Sequence, residues 1–136
     1  PSKAQFERWV HLVLTQLKQV GVVSIYLVDK EEGLRLNQQY RQKDYATNVL
    51  AFPAIPHATS KKTRILGDLV ICVPVIMEEA KLAHQQVEHH FAHITIHGTL
   101  HLLGYDHLEP NQAYEMEQLE VALLAKINMP NPYDDN

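Results

Sequence analysis

Three histidines and two glycines stand within residues 97 to 107, "HGTLHLLGYDH". His97 and His101 are four apart, so on a helix their side chains leave one face a turn apart and can reach a single ion. Gly104 is suited to end that helix in a left-handed turn, after which Tyr105 and Asp106 can swing His107 back as a third ligand. Three neutral imidazoles suit zinc or a neighbouring divalent transition metal and leave a fourth position for water or substrate. A purely structural zinc is usually closed by four protein ligands, often including Cys. Cys72, the one cysteine, falls in a predicted strand and reads as a small core residue. His93 lies on the same helix face, but its start is ~12 Å from that of His101 along the axis, too far for one ion. It reads as a buried histidine with a hydrogen-bond partner, or as one that orients a neighbour.

The order of these residues is that of the zinc-peptidase motif H-E-x-x-H-x-x-G-x-x-H, except that Gly98 stands where the peptidases carry glutamate. That carboxylate takes the proton from the attacking water and passes it on, so its absence disfavours peptide hydrolysis. Phosphodiester cleavage depends more on stabilising charge on the phosphoryl oxygens, which a Lewis-acidic metal and an arginine fork supply together. RNA also brings its own nucleophile. Attack by the 2′-hydroxyl leaves 2′,3′-cyclic phosphates, attack by water does not, and both routes are open from sequence. Gly98 itself lowers helix propensity by ~1 kcal/mol relative to alanine, a cost that fits a close approach of another segment or of an RNA backbone.

The elements that must position these residues follow from patterning. Ser2 and Gln5 form a capping box, and Phe6, Trp9, Val10, Val13, Leu14, Leu17 and Val20 recur at three- and four-residue steps up to Gly21, predicting one amphipathic helix. "VVSIYLV", 22 to 28, reads as a strand. A helix starts at Asp29, with Glu32 three residues on, and runs to about Arg41 with Tyr40 on its core face. "NVLAF", 48 to 52, is a strand ending at Pro53, and residues 53 to 64 form a loop with a basic end at Lys61, Lys62 and Arg64 that reads as solvated. "ILGDLVICV", 65 to 73, is a strand interrupted at Gly67 and Asp68. Pro74 opens a helix to about Gln86, Glu88 to Leu103 forms a buried central helix, and Pro110 opens a last helix to about Ile127. The segment 128 to 136 is a polar tail. The order predicts an α+β fold, with a small mixed β-sheet packed against about five α-helices and the three-histidine site at the end of the central one.

Bulk properties agree with one domain spanning residues 1 to 136. With 46% hydrophobic and 21% charged residues, neither disorder nor a fibrous architecture is favoured. A net charge of −4 argues against coating nucleic acid through bulk charge, though not against a local basic groove. Apolar runs are too short for a membrane span, and a single cysteine fits a reducing cytoplasm. Nine histidines, five of them between His84 and His97, justify the search for metal chemistry.

At these residues the chain resembles the YbeY endoribonucleases, or rRNA maturation factors. "HGTLHLLGYDH" meets their signature H-G-x-L-H-L-x-G-Y-D-H in full. "LNQQYRQKDYATNVLAFP", 36 to 53, is similar to their L-N-x-x-Y-R-x-K-D-x-x-T-D-V-L-S-F-P segment, and "LGDLVIC", 66 to 72, to their L-G-D-I-x-I strand. The likeness covers roughly Val22 to Tyr133. Asn48 departs from a common aspartate and Ala51 from a common serine. Family members usually carry a further strand before the first helix, so an N-terminal trimming ahead of Pro1 is expected.

The resemblance implies a cytoplasmic, single-strand-specific endoribonuclease with one zinc-like metal. It would act in the processing of the 3′ end of the small-subunit rRNA and in ribosome quality control. The implied partners are single-stranded RNA, small-subunit ribosomal proteins and the assembly GTPase Era. Carried over residue by residue, His97, His101 and His107 are the metal ligands and Arg41 is the basic residue of the cleft. Read without the resemblance, Arg41 is a solvated helix-end arginine. Asp106 reads as a turn residue or as an acceptor for a ligand imidazole, and Asp68 as a cleft residue or a bulge. Tyr40 and Tyr45, interleaved with Arg41 and Lys43, are placed to stack on unpaired bases. Two other classes stay open: a metal-dependent hydrolase of another substrate, and a non-catalytic assembly factor whose metal stabilises the fold.

Overall fold

The computed structural model describes residues 1–55 and 64–134. Its elements, in chain order, are α1 (Lys3–Gln16), β1 (Val22–Val28), α2 (Lys30–Arg41), β2 (Val49–Pro53), β3 (Ile65–Cys72), α3 (Val73–Leu82), α4 (Val87–Leu102) and α5 (Pro110–Lys126). The three strands form a mixed sheet in the order β1-β3-β2, with β3 parallel to β1 and antiparallel to β2. This is the α+β arrangement the sequence predicts. β3 runs through Gly67 and Asp68 unbroken; the irregularity is a register shift opposite Val22 and Val23. Asp68 pairs in regular register with Ser24 and Phe52 inside the sheet, so it does not mark the bulge, which falls before Gly67.

Local signals explain most boundaries. Ser2 Oγ accepts from the Gln5 backbone N–H at 3.2 Å while Gln5 Oε1 accepts from the Ser2 N–H at 2.7 Å, closing the predicted capping box. Asp29 caps α2 through the Glu32 N–H at 2.9 Å, but the Glu32 carboxylate turns away to Arg35 and leaves that box half-made. Two helices end earlier than their apolar spacing implies. α1 stops at Gln16 rather than Gly21, because Lys18 takes a left-handed φ of 55° and the Gln19 N–H bonds back to the Leu14 carbonyl. α3 stops at Leu82 rather than near Gln86, with His84 at φ 55° and the Gln85 N–H on the Ala80 carbonyl. Both are Schellman turns built without glycine, which leaves Val20 exposed instead of on a core face.

The core sits around α4. Phe91, Ala92, Ile94, Ile96, Leu100 and Leu102 pack with Phe6, Trp9 and Val13 of α1, Leu69 and Ile71 of β3, and Met116, Leu123 and Leu124 of α5. Gly98 is buried on the side facing the sheet. A Cβ there would lie 2.8 Å from Leu69 Cδ2 and 3.3 Å from Val49 Cγ2, so a protein segment makes the close approach. The glutamate position of the peptidase motif is thereby closed off: a side chain at 98 meets Leu69 and Val49. Gly98→Glu is expected to lower unfolding free energy by at least ~3 kcal/mol, read by denaturant titration, because it drives an unpaired charge into packed apolar groups. Gly98→Ala should cost ~1 kcal/mol, overpacking outweighing the gain in helix propensity.

Candidate metal centre and its cleft

α4 projects His97 and His101 from one face, and its end is built to return His107. Leu103 caps the helix, Gly104 takes φ 101°, and the Tyr105 N–H bonds to the Leu100 carbonyl at 3.1 Å, completing the left-handed stop that Gly104 predicts. Asp106 then accepts from the His107 backbone N–H at 2.7 Å, while its carboxylate stays 4.0 Å from His107 Nδ1. That geometry is a turn contact and not an imidazole hydrogen bond. The result brings one nitrogen from each of His97, His101 and His107 within 4.8 Å of the others, a group that could hold a metal ion.

Three observations test the fit of a divalent ion. The Nε2 atoms of His97 and His101 are 3.1 Å apart, close to the ~3.3 Å implied for two imidazoles ~2.05 Å from one tetrahedral zinc. His97 Nδ1 faces the Glu120 carboxylate at 3.0 Å and so carries the hydrogen, leaving Nε2 with its lone pair. Burial, reinforced by neighbouring His97 and His107, pushes the His101 pKa below its usual value and favours the neutral, ligating form. The donor set fits zinc-like ions; it does not distinguish among them.

Glu120 has no counterpart in the sequence analysis, which reads the segment from Pro110 to about Ile127 only as a last helix. It is 1% exposed. Its Oε2 accepts from His97, and its Oε1 accepts from His93 Nε2 at 2.5 Å and from the Tyr133 hydroxyl at 2.6 Å. Burial alone would raise its pKa, but these hydrogen bonds and the adjacent imidazole hold it down to about 2. The Tyr133 hydroxyl is pushed up by burial and by the Glu120 charge. His93 thus lies outside the ligand group, as expected, with a buried carboxylate as its partner. The described part of the tail is not a free polar end: Tyr133 reaches this carboxylate, and Gln85 Nε2 donates to the Pro132 carbonyl at 3.2 Å.

The three histidines open into a cavity of about 740 Å³, part of whose wall carries Arg41, Lys43, Tyr45, Asn48 and Ala51. Buried Asn37 positions that wall by donating Nδ2–H to the Tyr45 carbonyl at 2.6 Å, while its own carbonyl accepts from the Lys43 N–H at 3.3 Å. The signal for this was the asparagine inside "LNQQYR", a polar residue at a buried helical position. Tyr45 is exposed in the cleft. Tyr40 is not on a buried core face as predicted; it is 52% exposed and leans edge-on against Phe52. Asn48 donates to Glu79 at 3.1 Å, a use for the amide at this departure from the family segment. Arg64 donates to Gln19 at 3.0 Å outside the cleft, and Lys61 and Lys62 lie outside the described residues. Cys72 is a buried core thiol whose pKa burial raises. No helix among the described residues is long and apolar enough to cross a membrane.

An α+β domain with three convergent histidines sharing a cavity with basic and aromatic side chains defines a candidate metal-dependent enzyme of hydrolytic type. Comparison with known proteins gives the family. The family model described as Endoribonuclease YbeY matches residues 2–128, and the chain belongs to that family. A Pseudomonas entomophila protein named Endoribonuclease YbeY is 52% identical over 136 residues, covering all of this chain and 87% of that one. One of the same name from Cellvibrio japonicus is 47% identical over 137 residues, covering 99% of this chain and 76% of its own. In fold, the chain is similar to the solution structure of TM1509 from Thermotoga maritima, with a TM-score of 0.59, 24% identity, and coverage of 90% and 81% respectively.

Proposed function

We propose that this chain is a metal-dependent endoribonuclease that cleaves single-stranded RNA. Its ligands are His97, His101 and His107, its phosphate-gripping cation is Arg41, and residues 1–136 act as one catalytic domain. The observation that carries this reading is the shared cavity: three convergent imidazoles line it together with Arg41, Lys43 and Tyr45. The family name of the relatives supports an RNA phosphodiester as substrate.

A bound divalent ion, zinc in this reading, supplies Lewis acidity toward a phosphoryl oxygen. The chain's own residues do the rest. Arg41 presents a planar fork to the non-bridging oxygens and Lys43 adds positive charge beside it. Tyr45 offers a face to an unpaired base, a contact open to a single strand and closed to a stacked duplex. Glu120, behind His97 and buried, does not reach the cleft and cannot stand in for the peptidase base. The 3′ end of the small-subunit rRNA is the proposed substrate, ribosome quality control the proposed role, and small-subunit ribosomal proteins and the GTPase Era the proposed partners in the cytoplasm.

Metal removal tests this against the fold-stabilising alternative. The core closes around α4 without the histidine cluster. Treatment with a chelator is therefore expected to abolish cleavage of labelled single-stranded RNA while leaving the far-ultraviolet circular dichroism spectrum unchanged, with activity returning on adding zinc. Loss of the fold together with the metal would favour the structural ion instead. The ends of the products, cyclic or open, then separate 2′-hydroxyl from water attack.

A further inference from the structure

The hydrogen bonds behind the histidine cluster converge on one carboxylate, and their arrangement is directional. Oε1 of Glu120 is occupied twice, by His93 Nε2 and by the Tyr133 hydroxyl, while Oε2 faces His97 Nδ1 alone. The two other groups on Oε1 also touch each other, Tyr133 Oη lying 3.1 Å from His93 Nε2, and their rings meet edge-on at 5.3 Å. The carboxylate projects from α5 and is held by Tyr133 from the chain beyond it and by His93 from α4, one turn before His97 on the same helix.

We propose that Glu120 is the positioning residue of this centre: its buried carboxylate fixes the hydrogen of His97 on Nδ1 and the plane of the ring, presenting the Nε2 lone pair toward His101 and His107. The inference rests on the metal-ligand reading given above. Imidazoles that ligate metals are oriented by an acceptor on the second nitrogen, and losing such a partner typically weakens metal binding ~10–100-fold. His93 and Tyr133 hold the acceptor itself.

Glu120→Gln is the informative substitution because it keeps the shape and breaks the pattern. If its amide nitrogen faces His97, that ring must move its hydrogen to Nε2 and lose the ligating lone pair. If the nitrogen faces His93, that ring must move its own hydrogen to Nδ1, a buried atom without a partner among the described residues. No orientation of the amide satisfies both rings.

The test uses the full chain and zinc alone. Long-range proton–nitrogen NMR of the metal-free wild type should show His97 with its hydrogen on Nδ1; this readout needs no variant and no activity. Zinc affinity, measured by competition with a chromogenic chelator, should fall ~10–100-fold in Glu120→Gln, with unchanged circular dichroism before zinc is added. Tyr133→Phe, which removes one of the two donors on Oε1 but leaves the bond from His97 to Oε2 in place, should weaken zinc binding less than Glu120→Gln does. Finding the hydrogen of wild-type His97 on Nε2, or a folded Glu120→Gln variant that carries the His97 hydrogen on Nε2 yet binds zinc within twofold of wild type, would overturn the proposal and leave Glu120 as an interior acceptor only. A wild type that binds no zinc would defeat the metal reading itself. The tautomer would then decide whether Glu120 still orients His97.

Discussion

A folded His101→Ala variant is expected to lose cleavage of single-stranded RNA by about a thousandfold or more, the largest effect of any single change considered. His101 stands between the other two imidazoles, with ring centroids 4.6 Å from His97 and 5.0 Å from His107, whereas those two are 5.7 Å apart. Removing it takes the central donor and leaves two nitrogens, too few to hold a transition ion in a fixed open geometry. The fold should tolerate the loss, since His101 is half-buried on the last turn of α4 and contributes to the cleft rather than to the apolar cluster. A gel assay on labelled RNA decides it, run beside wild type purified identically, with circular dichroism on both. Equal cleavage by both proteins would assign the activity to a contaminating nuclease. Absence from both would sink the catalytic assignment for the isolated chain and favour an assembly factor that binds RNA without cutting it.

Glu120 and Gly104 show what a sequence does and does not disclose about such a centre. The ligands were legible because their chemistry and their spacing coincide: i, i+4 on a helix, a glycine that stops it, and a third histidine after a short turn. In the structure Gly104 takes positive φ and the three rings gather. Glu120 stands 23 residues from His97 on another helix, and only packing of α5 against α4 brings it there. Periodicity on α5 cannot announce it, because a buried carboxylate occupies a slot that patterning assigns to an apolar residue. Helix ends follow the same logic. Gly104 was readable as a stop, but Lys18 and His84 adopt the same left-handed turn without glycine, since a backbone bond to the carbonyl five residues back outweighs a modest steric cost. The sheet order β1-β3-β2 is likewise a property of pairing between distant segments, whereas each strand taken singly was visible in its β-branched run.

Arg41→Ala should lower cleavage ~10²- to 10³-fold with little change in stability, and Arg41→Lys should recover only part of the loss. The side chain is exposed on the last turn of α2, so truncating it empties no core space. Its position lines the same cavity as the three histidines, where a phosphate entering the cleft would be in reach of both in the proposed reading. Arginine offers two parallel N–H donors to two non-bridging oxygens, and a lysine offers a point charge; the Lys variant therefore separates geometry from charge. The neighbours sharpen the reading. Lys43 and Tyr45 share this wall, so RNA binding should weaken less than turnover does if Arg41 acts mainly on charge developing at the scissile phosphate. Single-turnover cleavage at saturating RNA, set beside RNA affinity by filter binding, distinguishes the two. A large fall in affinity with an unchanged single-turnover rate would make Arg41 a docking residue, and the solvated-arginine reading would return if neither quantity moved.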